Sequence, residues 1–285
     1  MDTSQLIDML NRDLGDEHAA TLRYLVHSYL EGEDTPMGAS LLSRSREEMW
    51  HMHWLGMIIG HLGGEPNLEP ADYPYDPTSR ATILQSYIEY EEKLVPHYQA
   101  EAKKVDDPHI KRVLEREAWE SSYHAQKFRQ KLKKLSQEEA DGKPEGEREL
   151  SSSLLAELQS EVNAKYNEML KHVRHAWVFQ KNGQLSWEIM NQSMVKMKQL
   201  AHFAEDVAEN GMEPDFSTTG MDTNSELQAA LKASFDSVNK GRDRHLDLAK
   251  NEELQEHAGL ATNLDLTIKQ EKYQIEELED WIKRL

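Results

Sequence analysis

The sequence predicts an all-α protein built as two tandem four-helix bundles, and three observations carry that prediction. Eight segments space their apolar residues by three and four, which lines one face of a helix. Gly, Pro and Asp clusters punctuate the joints between them. A polar stretch containing Gly and Pro, residues 136–153, separates two halves whose turn signals repeat, Glu213-Pro214 standing 148 positions after Glu65-Pro66. A chain of 285 residues also suits two domains at roughly 100 to 200 residues each.

In the first half, 1–135, the helical segments are 6–30, 37–62, 81–104 and 108–135. Gly32-Glu33-Asp34-Thr35-Pro36 ends the first and starts the second, and Asp106-Asp107-Pro108 does the same between the third and fourth. The second and third are joined by a long connection, 63–80, which opens with Gly63-Gly64-Glu65-Pro66. In the second half, 154–285, the segments are 154–180, 185–210, 225–250 and 252–285. Pro96 falls inside the third segment, lacks an N–H and predicts a kink one turn beyond Glu91.

Composition narrows the chemistry. Lys+Arg 33 against Asp+Glu 52 gives a formal net charge of -19, a field that repels phosphate backbones and anionic lipid, so neither nucleic acid nor membrane is expected as a partner. Without cysteine there is no disulfide, thiolate nucleophile, iron–sulfur cluster or Cys-ligated zinc. A bound metal must take carboxylate oxygen and imidazole nitrogen, a set suited to iron or manganese. The start Met1-Asp2-Thr3-Ser4 lacks a basic and then apolar leader, and no apolar run approaches the roughly 18 residues of a span, so a cytoplasmic location is expected.

The rows that should be core are interrupted by acids. Leu10, Leu14, Glu17, Thr21 and Tyr24 share a face of the first helix; Leu41, Glu48, His51, Leu55 and Ile58 share one on the second. Ile88, Glu91 and Leu94 do so on the third, and Ile110, Val113, Glu117, Glu120, His124 and Phe128 on the fourth. Antiparallel packing brings these carboxylates to one level, where they repel by several kcal/mol if left uncompensated. Two divalent cations resolve the repulsion. Glu48 and Glu117 are the natural bridges, with Glu17 and His51 on one ion and Glu91 and Glu120 on the other; His124, paired with Glu120, is the alternative last ligand.

The phrase Glu47-Glu48-Met49-Trp50-His51-Met52-His53-Trp54-Leu55, running to Gly63-Gly64-Glu65-Pro66, resembles the second helix of rubrerythrins and bacterioferritins. Leu10-Asn11-Arg12-Asp13-Leu14-Gly15-Asp16-Glu17, with Tyr24 two turns on, resembles their first. The similarity covers about residues 4–135 and is to the ferritin-like dinuclear carboxylate superfamily, which implies two tandem ferritin-like bundles and a di-iron or di-manganese oxidoreductase. A second E-x-x-H, which that family's rubrerythrins and bacterioferritins carry on the fourth helix, reads here Glu117-Ala118-Trp119-Glu120. The one-histidine set is similar to non-haem ferritins and favours oxidation of iron(II) by dioxygen or hydrogen peroxide. The alternatives are a peroxide-consuming enzyme of the rubrerythrin or manganese-catalase kind and a metal-binding module without turnover. Tyr24, near Glu17, is expected as a hydrogen-bond donor or one-electron relay. Met49 aligns with a haem-ligating methionine of bacterioferritins, but helix-face methionines are ordinarily packing, and haem is not expected.

In the second half, Glu17, Glu48 and His51 fall on Lys165, Lys196 and Gln199, and Glu117 and Glu120 on Thr267 and Gln270. A cation standing where a cation would bind predicts no dinuclear metal there, with Asp236 or Asp265 pairing the two ammonium groups or the lysines reaching water. The two bundles are expected to pair as an intramolecular pseudo-dimer, with a small homo-oligomer as a further expectation.

Overall fold

The computed structural model describes residues 1–143, 149–220 and 223–285. The described residues are all-helical beyond their turns and loops. They divide into two compact units, Met1–Glu145 and Gly146–Leu285, each of which packs four long helices. Part of the expected linker, 144–148, lies outside the described residues.

The first unit contains α1 (Thr3–Glu31), α2 (Pro36–His61), α3 (Arg80–Ala102), α4 (Pro108–Leu132) and a short α5 (Gln137–Asp141). Each long helix starts on a side-chain cap, Asp2, Thr35, Ser79 or Asp107, which accepts from an otherwise orphaned backbone N–H. Pro36 and Pro108 occupy first-turn positions that need no N–H donor. α1 packs on α2 and α3 on α4. The α1–α2 turn is tight: Gly32 takes φ 81, and a Cβ on Gly38 would lie 2.0 Å from the Gly32 carbonyl oxygen, so a side chain there would force the hairpin open.

The long connection is held along α1. The Asn11 side chain donates to the Glu65 carbonyl at 3.1 Å and accepts from the Asn67 N–H at 2.7 Å, and Ala71 N–H donates to the Gly15 carbonyl at 2.9 Å. Leu10, Leu14, Leu41, Leu55, Leu84 and Leu114 are all fully buried, and each contributes ~1.5–3 kcal/mol by leaving water. These rows anchor the acids between them. α3 runs unbroken over Arg80–Ala102 with Pro96 inside it.

The second unit contains α6 (Ser152–Val178), α7 (Gly183–Glu209), α8 (Leu227–Leu248), α9 (Glu252–Glu256) and α10 (Ala258–Arg284). α6 packs on α7 and α8 on α10. Two expected boundaries change. The segment expected as linker carries α5, started by a reciprocal cap between Ser136 and Glu139. The last expected helix is interrupted at His257, whose backbone is extended (φ -99, ψ 93), after Asn251 caps the short α9 and Leu254 buries against the unit. No described helix is long and apolar enough to cross a membrane.

Candidate metal centre

Four helices each deliver acid or imidazole to the interior of the first unit. Glu17 on α1, Glu48 and His51 on α2, Glu91 on α3, and Glu117 and His124 on α4 are at most 2% exposed. Burying so many ionisable groups is unfavourable unless they are paired or hold a cation.

Two ligand-bearing groups at this level share one residue. Glu17, Glu48 and His51 each offer an atom within 4.8 Å of the others, and so do Glu48, Glu91 and His124. His51 Nδ1 lies 2.9 Å from Glu17 Oε2 and 2.9 Å from Glu48 Oε2. His124 Nδ1 lies 2.7 Å from Glu48 Oε1 and 3.4 Å from Glu91 Oε1. Glu48 therefore turns one oxygen to each group. Neither Glu48 Oε1 nor His124 Nδ1 makes a hydrogen bond despite that approach.

The surroundings repeat about a local twofold. His51 Nε2 meets Glu120 Oε2 at 2.6 Å, and Glu120 accepts from Arg116 at 2.8 Å. His124 Nε2 meets Glu47 Oε2 at 2.6 Å, and Glu47 accepts from Arg44 at 2.6 Å. The guanidinium of Arg116 lies over Trp54 and that of Arg44 over Tyr123. Tyr24 on α1 donates to Glu91 Oε1 at 2.6 Å, while Tyr98 on α3 donates to Glu17. Each imidazole thus points Nδ1 inward and has its outer nitrogen held by a carboxylate, the arrangement that orients a metal-bound histidine.

The correspondence fails at several positions: in the register that sets His51 against His124, Arg44 falls on Glu117 and Glu48 on a serine. Glu47-Glu48-Met49-Trp50-His51 on α2 corresponds to Glu120-Ser121-Ser122-Tyr123-His124 on α4, so buried Ser121 faces the place that Glu48 fills on the other side. Glu117 sits one turn before Ser121, fully buried, with neither oxygen hydrogen-bonded.

The electrostatics follow from this crowding. Burial raises the pKa of both Glu17 and Glu117, with His51 partly opposing. Burial opposes charge on His51 and His124 too, but Glu17 and Glu48 hold the first well above the ordinary imidazole value, and Glu48 and Glu91 the second. Burial also acts against ionised Glu48, yet His124 and His51 bring it below the usual carboxylate range. The hydrogen bond from His51 holds Glu120 at about 2.

Several expectations are placed differently. Glu17, Glu48, His51, Glu91 and His124 meet in the two groups. Glu120 does not join them; its side chain is 29% exposed and it grips His51 from outside. The α4 register that makes His124 the inward residue is the one the packing adopts. Glu117 lies inside but in neither group. Tyr24 bonds Glu91 rather than Glu17, because α1 and α3 run in opposite directions there and each tyrosine comes level with the acid of the other helix. Glu47, Asp13 and Glu101 have no role in the sequence reading, Tyr98 only a place in the inward row of the third helix, and His97 is expected there as a solvated or packing residue. The signal for Tyr98 was there: it follows Glu91 by seven residues, as Tyr24 follows Glu17.

The second unit solves the same problem with fixed cations. Fully buried Lys165 pairs with Glu168 at 3.1 Å and with Glu271, and fully buried Lys196 pairs with Glu168 at 2.9 Å. His245 joins Glu271 and Glu161, each at 2.9 Å. Gly241 leaves the room: a Cβ there would meet Glu271 Oε1 at 3.1 Å and Glu168 Oε1 at 3.4 Å. The expected partners Asp236 and Asp265 are exposed instead, and Asp265 pairs with Lys269 on the surface. Glu168 replaces them because it follows Lys165 by three residues and so shares its inward face.

Residues 7–138 match the family model of the ferritin-like domain, a match contained within the first unit. The curated proteins include no match to this chain.

Proposed function

We propose, from the premise that residues 7–138 are a ferritin-like domain, that the first unit is a dinuclear oxidoreductase whose Glu48 is shared by two iron or manganese ions. The observation that supports this most is the divided use of Glu48: Oε2 faces His51 and Oε1 faces His124. The donors fit the ions. Carboxylate oxygens and imidazole nitrogens are the ligands hard-to-borderline divalent metals take, and the unbonded Glu48 Oε1, His124 Nδ1 and Glu117 oxygens are buried polar atoms in need of a partner.

In this reading Glu17 and His51 hold one ion, Glu91 and His124 the other, and Glu48 both. Such a pair supplies two electrons, enough to reduce hydrogen peroxide to two waters when two protons are delivered. The chain's own groups manage the rest. Tyr24 and Tyr98 hold Glu91 and Glu17 in place through their hydroxyl groups. Glu120 and Glu47 hold the outer nitrogens of His51 and His124 and so fix their tautomers, leaving each inner nitrogen for a metal. Tyr87 packs edge to face on Tyr24, and Phe128 lies tilted against both, an apolar wall beside the site that keeps bulk water from it.

The preferred reaction is oxidation of iron(II) by peroxide or dioxygen. The inward position of His124 favours a second reading, a peroxide-consuming enzyme with resident ions, since two-histidine sets resemble rubrerythrins more than non-haem ferritins. Anaerobic loading with two equivalents of iron(II) followed by peroxide tests both. Consumption of one peroxide per two iron(II), lost in Glu48→Ala, supports redox function. Continued oxidation of added iron(II) beyond two per chain selects the first reading; cycling of two retained ions by an external reductant selects the second. Stoichiometric binding with no peroxide consumed contradicts both.

A further inference from the structure

Below the dinuclear groups, toward the start of α1, a second set of side chains converges that the proposed reaction does not use. Asp13 on α1 is fully buried, Glu101 near the end of α3 is 4% exposed, and His97, one turn before Glu101, is partly exposed. His97 Nε2 lies 2.9 Å from Asp13 Oδ1 and 3.5 Å from Glu101 Oε2. The three residues offer ligand atoms within 4.8 Å of one another.

An ion pair between His97 and Asp13 does not account for this set. Asp13 Oδ2 and Glu101 Oε2 are both buried and neither makes a hydrogen bond. Arg12, itself mostly exposed, approaches only the other oxygen of Glu101, at 4.0 Å. Two buried carboxylates facing each other beside one imidazole need either a proton or a cation between them, and a divalent cation satisfies all three donors together.

We propose that Asp13, His97 and Glu101 form a third, mononuclear site for a divalent transition ion, from which ions pass inward to the Glu48 centre. Two carboxylates and one imidazole leave positions for water, and partial exposure of His97 lets a hydrated ion arrive. Glu101 also lines a surface hollow of about 270 Å³ between the start of α1 and the end of α3. The inward path is marked by residues. Asp13 and Glu17 lie one turn apart on the same face of α1, and fully buried Glu117, with both oxygens free of hydrogen bonds, stands near both. A carboxylate held by nothing can turn toward either end. The third site stands by itself; passage to the centre rests on the dinuclear reading.

Manganese(II) titration of the metal-free full-length chain, with free ion counted by electron paramagnetic resonance, separates the two. Three ions per chain are expected, falling to two in His97→Ala and in the shape-preserving Glu101→Gln, and to one in Glu48→Ala. Helical circular dichroism confirms that each variant is folded. A wild-type chain that saturates at two, or a count unchanged in both His97→Ala and Glu101→Gln, overturns the third site and leaves the dinuclear centre intact. Loss in those variants with no loss in Glu48→Ala keeps the third site and overturns the centre. For passage, the visible band of cobalt(II) at the inner site should grow at least tenfold more slowly in His97→Ala; an unchanged rate overturns the inward route.

Discussion

His51 and His124 stack with ring centroids 6.4 Å apart and planes inclined by 17°, each turned so that its inner nitrogen addresses a different oxygen of Glu48. α2 and α4 therefore present one shared acid between two matched imidazoles, while Glu120 and Glu47 close the outer sides crosswise.

Inner and outer acids should behave differently on truncation. Glu48→Ala removes the shared ligand and should abolish retention of both central ions after dialysis. Glu120→Ala removes only the carboxylate outside His51 and should weaken retention by ~10–100-fold without changing the number bound. Metal analysis against protein concentration reads both. Equal losses in the two variants would contradict the assignment of Glu120 to the outer side.

The tyrosines should prove crossed. Tyr24→Phe deletes the hydroxyl that donates to Glu91, and Tyr98→Phe the one that donates to Glu17. Each substitution should perturb one ion of the pair, seen as a change in one of two cobalt(II) environments by visible circular dichroism. A change in the same environment for both variants would count against the crossing.

The pH dependence of the chelated protein has a definite sign. His51 and His124 are raised well above 6.5 and Glu17 and Glu117 above 4.5 when no ion is present. Groups whose folded pKa exceeds the unfolded value favour the folded state at low pH and lose that contribution as pH climbs through the folded value. Lowered Glu48 and Glu120 act in the opposite sense, but they lose their contribution only as pH falls below about 4.5. Metal-free first unit should thus melt at lower temperature as pH rises from about 6.5, and manganese(II) should restore more stability at the alkaline end. Calorimetric melts with and without chelator check this; a metal-free melt that rises over that range would contradict it.

The second unit should ignore chelator and depend on its acids. Glu168→Gln leaves Lys165 and Lys196 with fewer buried anions and should cost ~3–5 kcal/mol, read as earlier denaturant unfolding of that unit. Burial already lowers Lys196 to about 8 while Glu168 raises it, so removing Glu168 should lower it further and some of the loss should be relieved as its ammonium discharges below that pH. A variant as stable as the parent at neutral pH would show that the ion pairs are not what balances this interior.

Much of this was legible because burial is periodic. Glu17, Glu48 and Glu91 each interrupt a row of leucines and isoleucines, and an acid in such a row must face inward whatever the partner helix does. α4 resisted the same reading: Glu117, Glu120 and His124 follow one another by three and four, so all three share a stripe, and only the distance to α2 decides which enters and which closes the rim. Tyr24 was assigned to the acid on its own helix, whereas its partner is set by the antiparallel register of α1 against α3. Glu168 and Glu271, the partners of the buried lysines, were missed because no element of the first half marks their positions as acidic.

Anomalous diffraction from crystals of the full chain soaked with manganese(II) tests the central claim most directly. The account predicts two peaks flanking the Glu48 carboxylate, one beside His51 and one beside His124, and none near Lys165 and Lys196. Clean density for the Glu48 side chain with no anomalous peak on either side would contradict it.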